Sequence, residues 1–495
     1  MAHNALDEKG ISSIVQSPEI ATTASSGGGT QPKAICLQQY FSEESRNFQG
    51  SALKKTTRLL SNFIPLGTGR PTAELYPWTS SDANWPTFLN KPNGPEGRAR
   101  VPSTYTLANA LTYGAALGAP SLVQFLTEHM KLIHDPPYQD WAVCLTCGST
   151  SALDIIFRTF TDRGDVILAE KYSYPGFIES AALAGVEIQP VDLDDQGLSP
   201  DKLGQILDQW NTLERPKPKI LYTIPSGQNP TGVTQSQKRR LSIYEIAERH
   251  GLIIVEDDPY YFIQLGPNAA SEGGNPEAVS RQLVPSYLSI DKSGRVIRLD
   301  STSKILAPGL RAGWVTASQQ VIDKYAAYHD LTTVSVSGPS QFILHDLFNL
   351  QWGQEGFSTW LQTLSLKYTQ RRDITVAACH SFLPSDICSF AIPDHGMFLW
   401  ISIDVRMHPM YAAEGHIVQD WCSQVEDRIL TLGLANGVQV TKGSLFFTKK
   451  SSQEAELFFR LTFAAAREQD LAEGVRIFAD AVKAEFNYRG SLPRA

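Results

Sequence analysis

Short apolar runs of strand length alternate with stretches of helical periodicity along most of the chain. Ala142-Val143-Cys144-Leu145, Val166-Ile167-Leu168, Lys219-Ile220-Leu221-Tyr222 and Leu252-Ile253-Ile254-Val255 are apolar almost throughout, which predicts strands buried on both faces. Between the last two, residues 237–250 set Leu241, Tyr244, Ile246 and Ala247 on one helical stripe and stop at Gly251, a residue suited to closing a helix. This alternation predicts an α/β fold with a mostly parallel central sheet covered by helices. Functional residues should then collect in the loops at the strand ends. Near the C-terminus, residues 457–463 read as a strand, and Leu471, Val475, Phe478 and Val482 form a helical stripe after it. A second αβ layer is expected there.

Three stretches interrupt the pattern. Ala24-Ser25-Ser26-Gly27-Gly28-Gly29-Thr30 is too small and polar to offset its ordering entropy, so residues 1–30 are expected to form a disordered tail. Residues 79–100 and 267–285 mix Pro, Gly and Asn and read as surface insertions. A chain of 495 residues suits one large and one smaller domain. The expected division is an N-terminal arm with part of the small domain over 31–104, a large domain over 105–365 and a C-terminal small domain over 366–495.

A net charge of −8 offers no general basic field for a nucleic acid or an anionic membrane, which leaves small molecules as the expected partners. Six cysteines in so long a chain make no disulfide framework, and a reducing cytoplasm is the expected compartment. Cys144 and Cys147 have redox spacing, but they lie in an apolar run without a second pair to complete a zinc site. Both read as small buried residues, and no metal is expected. The N-terminus shows neither a signal-peptide core nor an Arg-rich amphipathic helix, and no apolar run is long enough to span a bilayer.

The densest chemistry lies in Ser301-Thr302-Ser303-Lys304, followed by Arg311 and Gly313, at the end of the strand-like Arg295-Val296-Ile297-Arg298-Leu299. Hydroxyls and a guanidinium so placed can take a phosphate while the lysine bonds covalently to an aldehyde. A surface loop with incidental charges is the alternative. Three further segments follow predicted strands: Gly148-Ser149-Thr150, Asn229-Pro230-Thr231-Gly232, and Asp257-Asp258-Pro259-Tyr260-Tyr261. In this order the four motifs resemble the class I and II aminotransferases of pyridoxal-5′-phosphate (PLP) fold type I. Tyr40-Phe41-Ser42-Glu43-Glu44-Ser45-Arg46, Ser51-Ala52-Leu53-Lys54 and Leu66-Gly67-Thr68-Gly69-Arg70-Pro71 narrow the resemblance to the fungal aromatic aminotransferases and the kynurenine/2-aminoadipate aminotransferases.

The resemblance implies transfer of the amino group of an aromatic L-amino acid to a 2-oxo acid such as 2-oxoglutarate or an aromatic pyruvate. Lys304 is the expected cofactor lysine and proton carrier. Asp258 is expected to keep the pyridine nitrogen protonated, with Tyr261 near the ring 3-oxygen; Asp257 with Tyr260 is the competing register. Asn229 should bond the same oxygen, and Tyr174 should stack on the ring. Gly148, Ser149 and Thr150 precede a helix, whose N-terminus suits an anion, and Ser301, Ser303 and Arg311 complete the phosphate cradle. Arg460, an arginine in an apolar strand, is expected to clamp the substrate carboxylate. Asn229, Gly69 and Tyr113 are assigned to the substrate as well. Tyr113 resembles a tyrosine reaching the neighbouring subunit's phosphate, which implies a homodimer with shared sites. Asn62, Gly67 and Gly396-Met397-Phe398 are expected at the substrate mouth, and Phe48 favours aromatic over acidic substrates.

Other reactions of the same cofactor, such as decarboxylation, carbon–sulfur cleavage or cyclopropane formation, share the first proton transfer. A PLP-binding regulator is a further reading, but it would need a helix-turn-helix module that the polar first thirty residues cannot hold.

Overall fold

The computed structural model describes residues 63–76, 105–266, 283–414, 421–449 and 457–488. The expected tail, Phe48, Asn62, the 79–100 insertion and most of the 267–285 insertion lie outside these residues.

The predicted alternation is present. In chain order come α1 (Pro120–Ile133), β1 (Trp141–Thr146), α2 (Ser149–Phe160), β2 (Val166–Glu170), α3 (Pro175–Ala184), β3 (Glu187–Val191), β4 (Ile220–Thr223), α4 (Gln237–His250), β5 (Ile253–Asp257), β6 (Val296–Ser301), α5 (Thr302–Ile305), β7 (Gly313–Ser318) and α6 (Gln319–Thr332). Local chemistry sets the boundaries. The Ser236 hydroxyl caps α4 by accepting from Arg239 N, and Gly251 ends it at φ 71°.

The strands form one seven-stranded sheet in the order β1-β7-β6-β5-β4-β2-β3. It is parallel except for β7, which runs against both β1 and β6. The fold is therefore α/β with a mostly parallel sheet, as the alternation predicts.

Register decides which side chains meet. Tyr222 stands opposite Val255, and Thr223 opposite Glu256. Glu256 stands opposite Arg298, and Asp257 opposite Leu299. Because side chains alternate along a strand, Tyr222, Asp257 and Ser301 share one face, and Glu256, Arg298 and Asp300 share the other. On the first face, the Tyr222 ring stacks on Phe177 of α3 with centroids 3.7 Å apart. On the second, Arg240 of α4 donates to Ser226 Oγ at 3.0 Å.

The C-terminal part contains α7 (Gly353–Phe382), β8 (Cys388–Ser389), β9 (Phe398–Ile403), α8 (Trp421–Ala435), β10 (Thr441–Lys442), β11 (Leu457–Thr462) and α9 (Leu471–Glu485). Its strands pair antiparallel in the order β8-β9-β11-β10, and α9 packs on α7 and α8. An early segment joins this layer: Ile64–Pro65 pairs in parallel with Val438–Gln439. Thr462 N then donates to Leu66 O at 2.7 Å, which carries residues 67–69 in front of β11.

Candidate active site

Lys304 lies in α5, directly beyond the end of β6. The turn is held by Ser303 N donating to Ser301 Oγ at 3.2 Å and by the Thr302 hydroxyl donating to Ala312 O at 2.7 Å. Lys304 Nζ donates to Gly69 O at 2.5 Å. Gly69 has to be glycine, since a Cβ there would come within 2.8 Å of the Phe398 ring. Burial, helped by the positive Arg460 nearby, lowers the Lys304 pKa to about 8.

An anion cradle faces this lysine. Gly148 caps α2 at φ 96°, so the unbonded N–H groups of the first helical turn are free to face a ligand. A Cβ on Gly148 would fall 2.7 Å from Arg311 Nη2. Arg311 donates from Nη1 to Ser303 Oγ at 3.3 Å and from Nη2 to Cys147 O at 3.1 Å. It has no carboxylate partner among the described residues. The buried Ser149 hydroxyl completes no well-formed hydrogen bond, although it is close enough to Asp257 to oppose the rise in that acid's pKa. Cys147, expected to be buried, is half-buried, with its thiol 3.9 Å from His329 Nε2.

The two aspartates after β5 face opposite ways. Asp257 Oδ2 accepts from the Tyr222 hydroxyl at 2.7 Å, while Oδ1 is buried without a partner. Burial raises its pKa to about 6, against the pull of the Tyr222 hydrogen bond, the Ser149 hydroxyl and the Lys304 charge. Asp258 accepts instead from Ser226 at 2.9 Å and lies 3.5 Å from Arg298. Arg298 also meets Glu256 at 3.1 Å and Asp300 at 2.9 Å, and its guanidinium lies over the Tyr261 ring at 4.6 Å. The structure brings Asp257 and Tyr260, the competing register, to the side of Lys304 and Arg460, rather than the expected Asp258 and Tyr261. The physical reason is strand parity, which puts Asp258 on the Arg298 face.

Arg460, 2% exposed, is opposite Trp400 in the β9–β11 pair. It donates from Nη1 to Asn229 Oδ1 at 2.8 Å and from Nη2 to Gly67 O at 2.7 Å. Its Nε is buried without a partner, and no carboxylate pairs with it among the described residues. Phe398 and Phe446 sandwich the guanidinium at 4.3 and 4.8 Å. Desolvation lowers its pKa to about 10, as expected of a buried cation lacking its anion. Tyr260 packs edge-on against Phe398 at 5.5 Å. The Tyr174 hydroxyl lies 3.4 Å from Thr150 Oγ1, and its pKa is raised by burial. Tyr113 is 93% exposed and makes no part of this cluster.

Unsatisfied polar atoms are rare in protein interiors, yet Ser149 Oγ, Asp257 Oδ1 and Arg460 Nε occur together around one lysine of lowered pKa. The chain matches the family described as aminotransferase class I and II over residues 97–478. It belongs to that family. This aminotransferase is 44% identical to aminotransferase swnA of Arthroderma benhamiae, with 90% of this chain and 91% of that protein covered. It is 37% identical to an aromatic amino acid aminotransferase of Schizosaccharomyces pombe, covering 92% of this chain and 99% of the other. Among solved structures, the aminotransferase Aro8 of Candida albicans superposes with a TM-score of 0.72 at 34% identity, covering 92% of this chain and all of that one. The enzyme is a PLP-dependent transaminase acting on small amino and oxo acids.

The unpartnered groups fit the cofactor of this family: a carboxylate for a ring nitrogen, and a helix N-terminus with hydroxyls and an arginine for a phosphate. Tyr222 escaped the sequence reading, although its place beside Val255 puts it on the Asp257 face. Once the β4–β5 register is known, that parity is enough to find it.

Proposed function

We propose that this aminotransferase takes the amino group from an aromatic L-amino acid and delivers it to a 2-oxo acid such as 2-oxoglutarate. Relatives at 37% and 35% identity are named for aromatic amino acids and for L-tyrosine with 2-oxoglutarate. The observation that carries the assignment is Arg460, a buried cation with one orphaned nitrogen and no carboxylate partner among the described residues. A substrate carboxylate at that nitrogen would complete the guanidinium's bonding and turn the rest of the substrate toward the Phe398 and Phe446 rings.

Bound PLP supplies an aldehyde that captures amines and a ring that draws electrons from the substrate Cα. Lys304 Nζ would hold the cofactor and carry a proton to and from the substrate Cα; a pKa of about 8 suits both roles at neutral pH. Asp257 would keep the ring nitrogen protonated through its free Oδ1. Tyr260 and Asn229 would serve the ring 3-oxygen, and Tyr174 would cover the ring face. Gly148, Ser149, Thr150, Ser301, Ser303 and Arg311 would hold the phosphate. Asn229 and Gly69 also position the substrate, the first by orienting Arg460 and the second by bonding Lys304.

The working unit in this reading is a cytoplasmic homodimer. Support for the dimer comes from Leu111 and Tyr113, 68 and 93% exposed before α1, and from Leu331, 87% exposed in the last turn of α6. A Cβ on Gly114 would meet Ser335 at 3.2 Å, so the loop before α1 adjoins the end of α6. Large apolar side chains on one surface mark a contact with another chain, and Tyr113 would reach the partner's phosphate from there.

A half-reaction screen tests the substrate assignment. Loss of the bound cofactor's visible absorbance is followed with Phe, Tyr, Trp, kynurenine, 2-aminoadipate and Glu in turn. Phe, Tyr or Trp should react fastest. Absence of conversion with every amino acid would remove transamination, and a clear preference for 2-aminoadipate would remove the aromatic assignment.

A further inference from the structure

Tyr222 has no part in the scheme above, yet it is buried beside the carboxylate on which that scheme depends. Its hydroxyl donates to Asp257 Oδ2 at 2.7 Å, and its ring is clamped against Phe177, 3.7 Å between centroids and 5° from parallel. Both rings are almost entirely excluded from solvent. A phenol so fixed can offer its proton in only one direction. It therefore occupies one carboxylate oxygen and leaves Oδ1 as the free acceptor.

We infer that Tyr222 is a positioning residue, which fixes Asp257 in the orientation and the charged state needed to pair with a protonated ring nitrogen. The inference rests on Asp257 being the ring-facing acid. A hydrogen bond donated to a carboxylate favours its ionised form, and the environment of Asp257 makes that contribution necessary. Burial raises its pKa, and Asp300 adds to the effect, while the Ser149 hydroxyl and Lys304 oppose it. Glu170 on β2 and the phenols of Tyr174 and Tyr260 also face this centre. The Tyr222 proton itself stays on the phenol, because burial and the nearby Asp257 both raise its pKa.

Tyr222→Phe removes the hydroxyl and keeps the stacked ring. The test measures the Kd of PLP and of its 1-deaza analogue, in which carbon replaces the ring nitrogen, for wild type and variant. Wild type should favour PLP. In the variant, Kd for PLP should rise about 10- to 100-fold, the range of a hydrogen bond to a charged group, while Kd for the analogue changes less than about twofold. The acid limb of PLP affinity should also move to higher pH, because Asp257 without its donor protonates sooner as pH falls. Equal weakening of both ligands would make Tyr222 merely structural and overturn the inference, as would no weakening of either. If wild type binds both ligands equally, the Asp257 assignment fails first and takes this inference with it. The same substitution in an Asp257→Asn background is a second test. There it should leave PLP affinity unchanged, and a further loss would refute the coupling.

Discussion

Lys304 Nζ and the Gly69 carbonyl are 2.5 Å apart across 235 residues of sequence. Burial of the amine and the positive Arg460 close by both favour its neutral form. Covalent capture of an aldehyde needs that neutral amine. The rate of PLP loading onto cofactor-free enzyme should therefore climb with pH through about 8, the lowered pKa of Lys304, and level off above it. Stopped-flow absorbance across that range checks this; a midpoint near 10.5, the ordinary lysine value, would contradict it. Lys304→Ala should lose turnover by at least about 10²- to 10⁴-fold, the scale of positioned proton transfer, with an unchanged circular dichroism spectrum.

The adjacent aspartates should separate cleanly. Asp257→Asn removes the acid on the Lys304 side, and kcat should fall about 100-fold or more through loss of electrostatic support for the ring. Asp258→Asn leaves Arg298 paired with Glu256 at 3.1 Å and Asp300 at 2.9 Å, so kcat should stay within about threefold. Steady-state kinetics on the two variants decides the register, and the opposite ranking would restore Asp258.

Arg460→Lys keeps the charge but loses the planar fork that bonds Asn229 and Gly67 at once. KM for the amino acid should rise about 10- to 100-fold, with a smaller change in kcat. An unaltered KM would place the substrate carboxylate elsewhere.

Gly148→Ala forces a side chain into φ 96° and against Arg311. The backbone strain alone costs about 1–3 kcal/mol, and the displaced guanidinium weakens the anion cradle. Dialysis should show PLP leaving the variant about tenfold more readily, with Tm of the cofactor-free protein lower by a few degrees.

Much of the large sheet could be read from the chain because its strands are apolar on both faces and its helices carry their own stop signals, as Ser236 and Gly251 do for α4. The lysine, the Asn229 loop and the helix start at Gly148 were legible for a related reason: each directly follows a strand. The choice between Asp257 and Asp258 was not. Two adjacent acids look alike in a linear text, and only pairing with β6 shows that Asp258 shares a face with Arg298. Tyr222 was hidden in the same way, as an aromatic residue inside an apolar run. The approach of Gly67 and Gly69 to Arg460 and Lys304 depends on contacts between opposite ends of the chain, which no local pattern encodes.

That last feature bears on how the enzyme is made. The Gly67 carbonyl has its guanidinium partner 393 positions later, so a ribosome must release nearly the whole polypeptide before the pocket can close. Distant contacts of this kind form slowly. Vitamin capture is accordingly a late event in biosynthesis, and chains truncated before β11 should emerge unable to retain it.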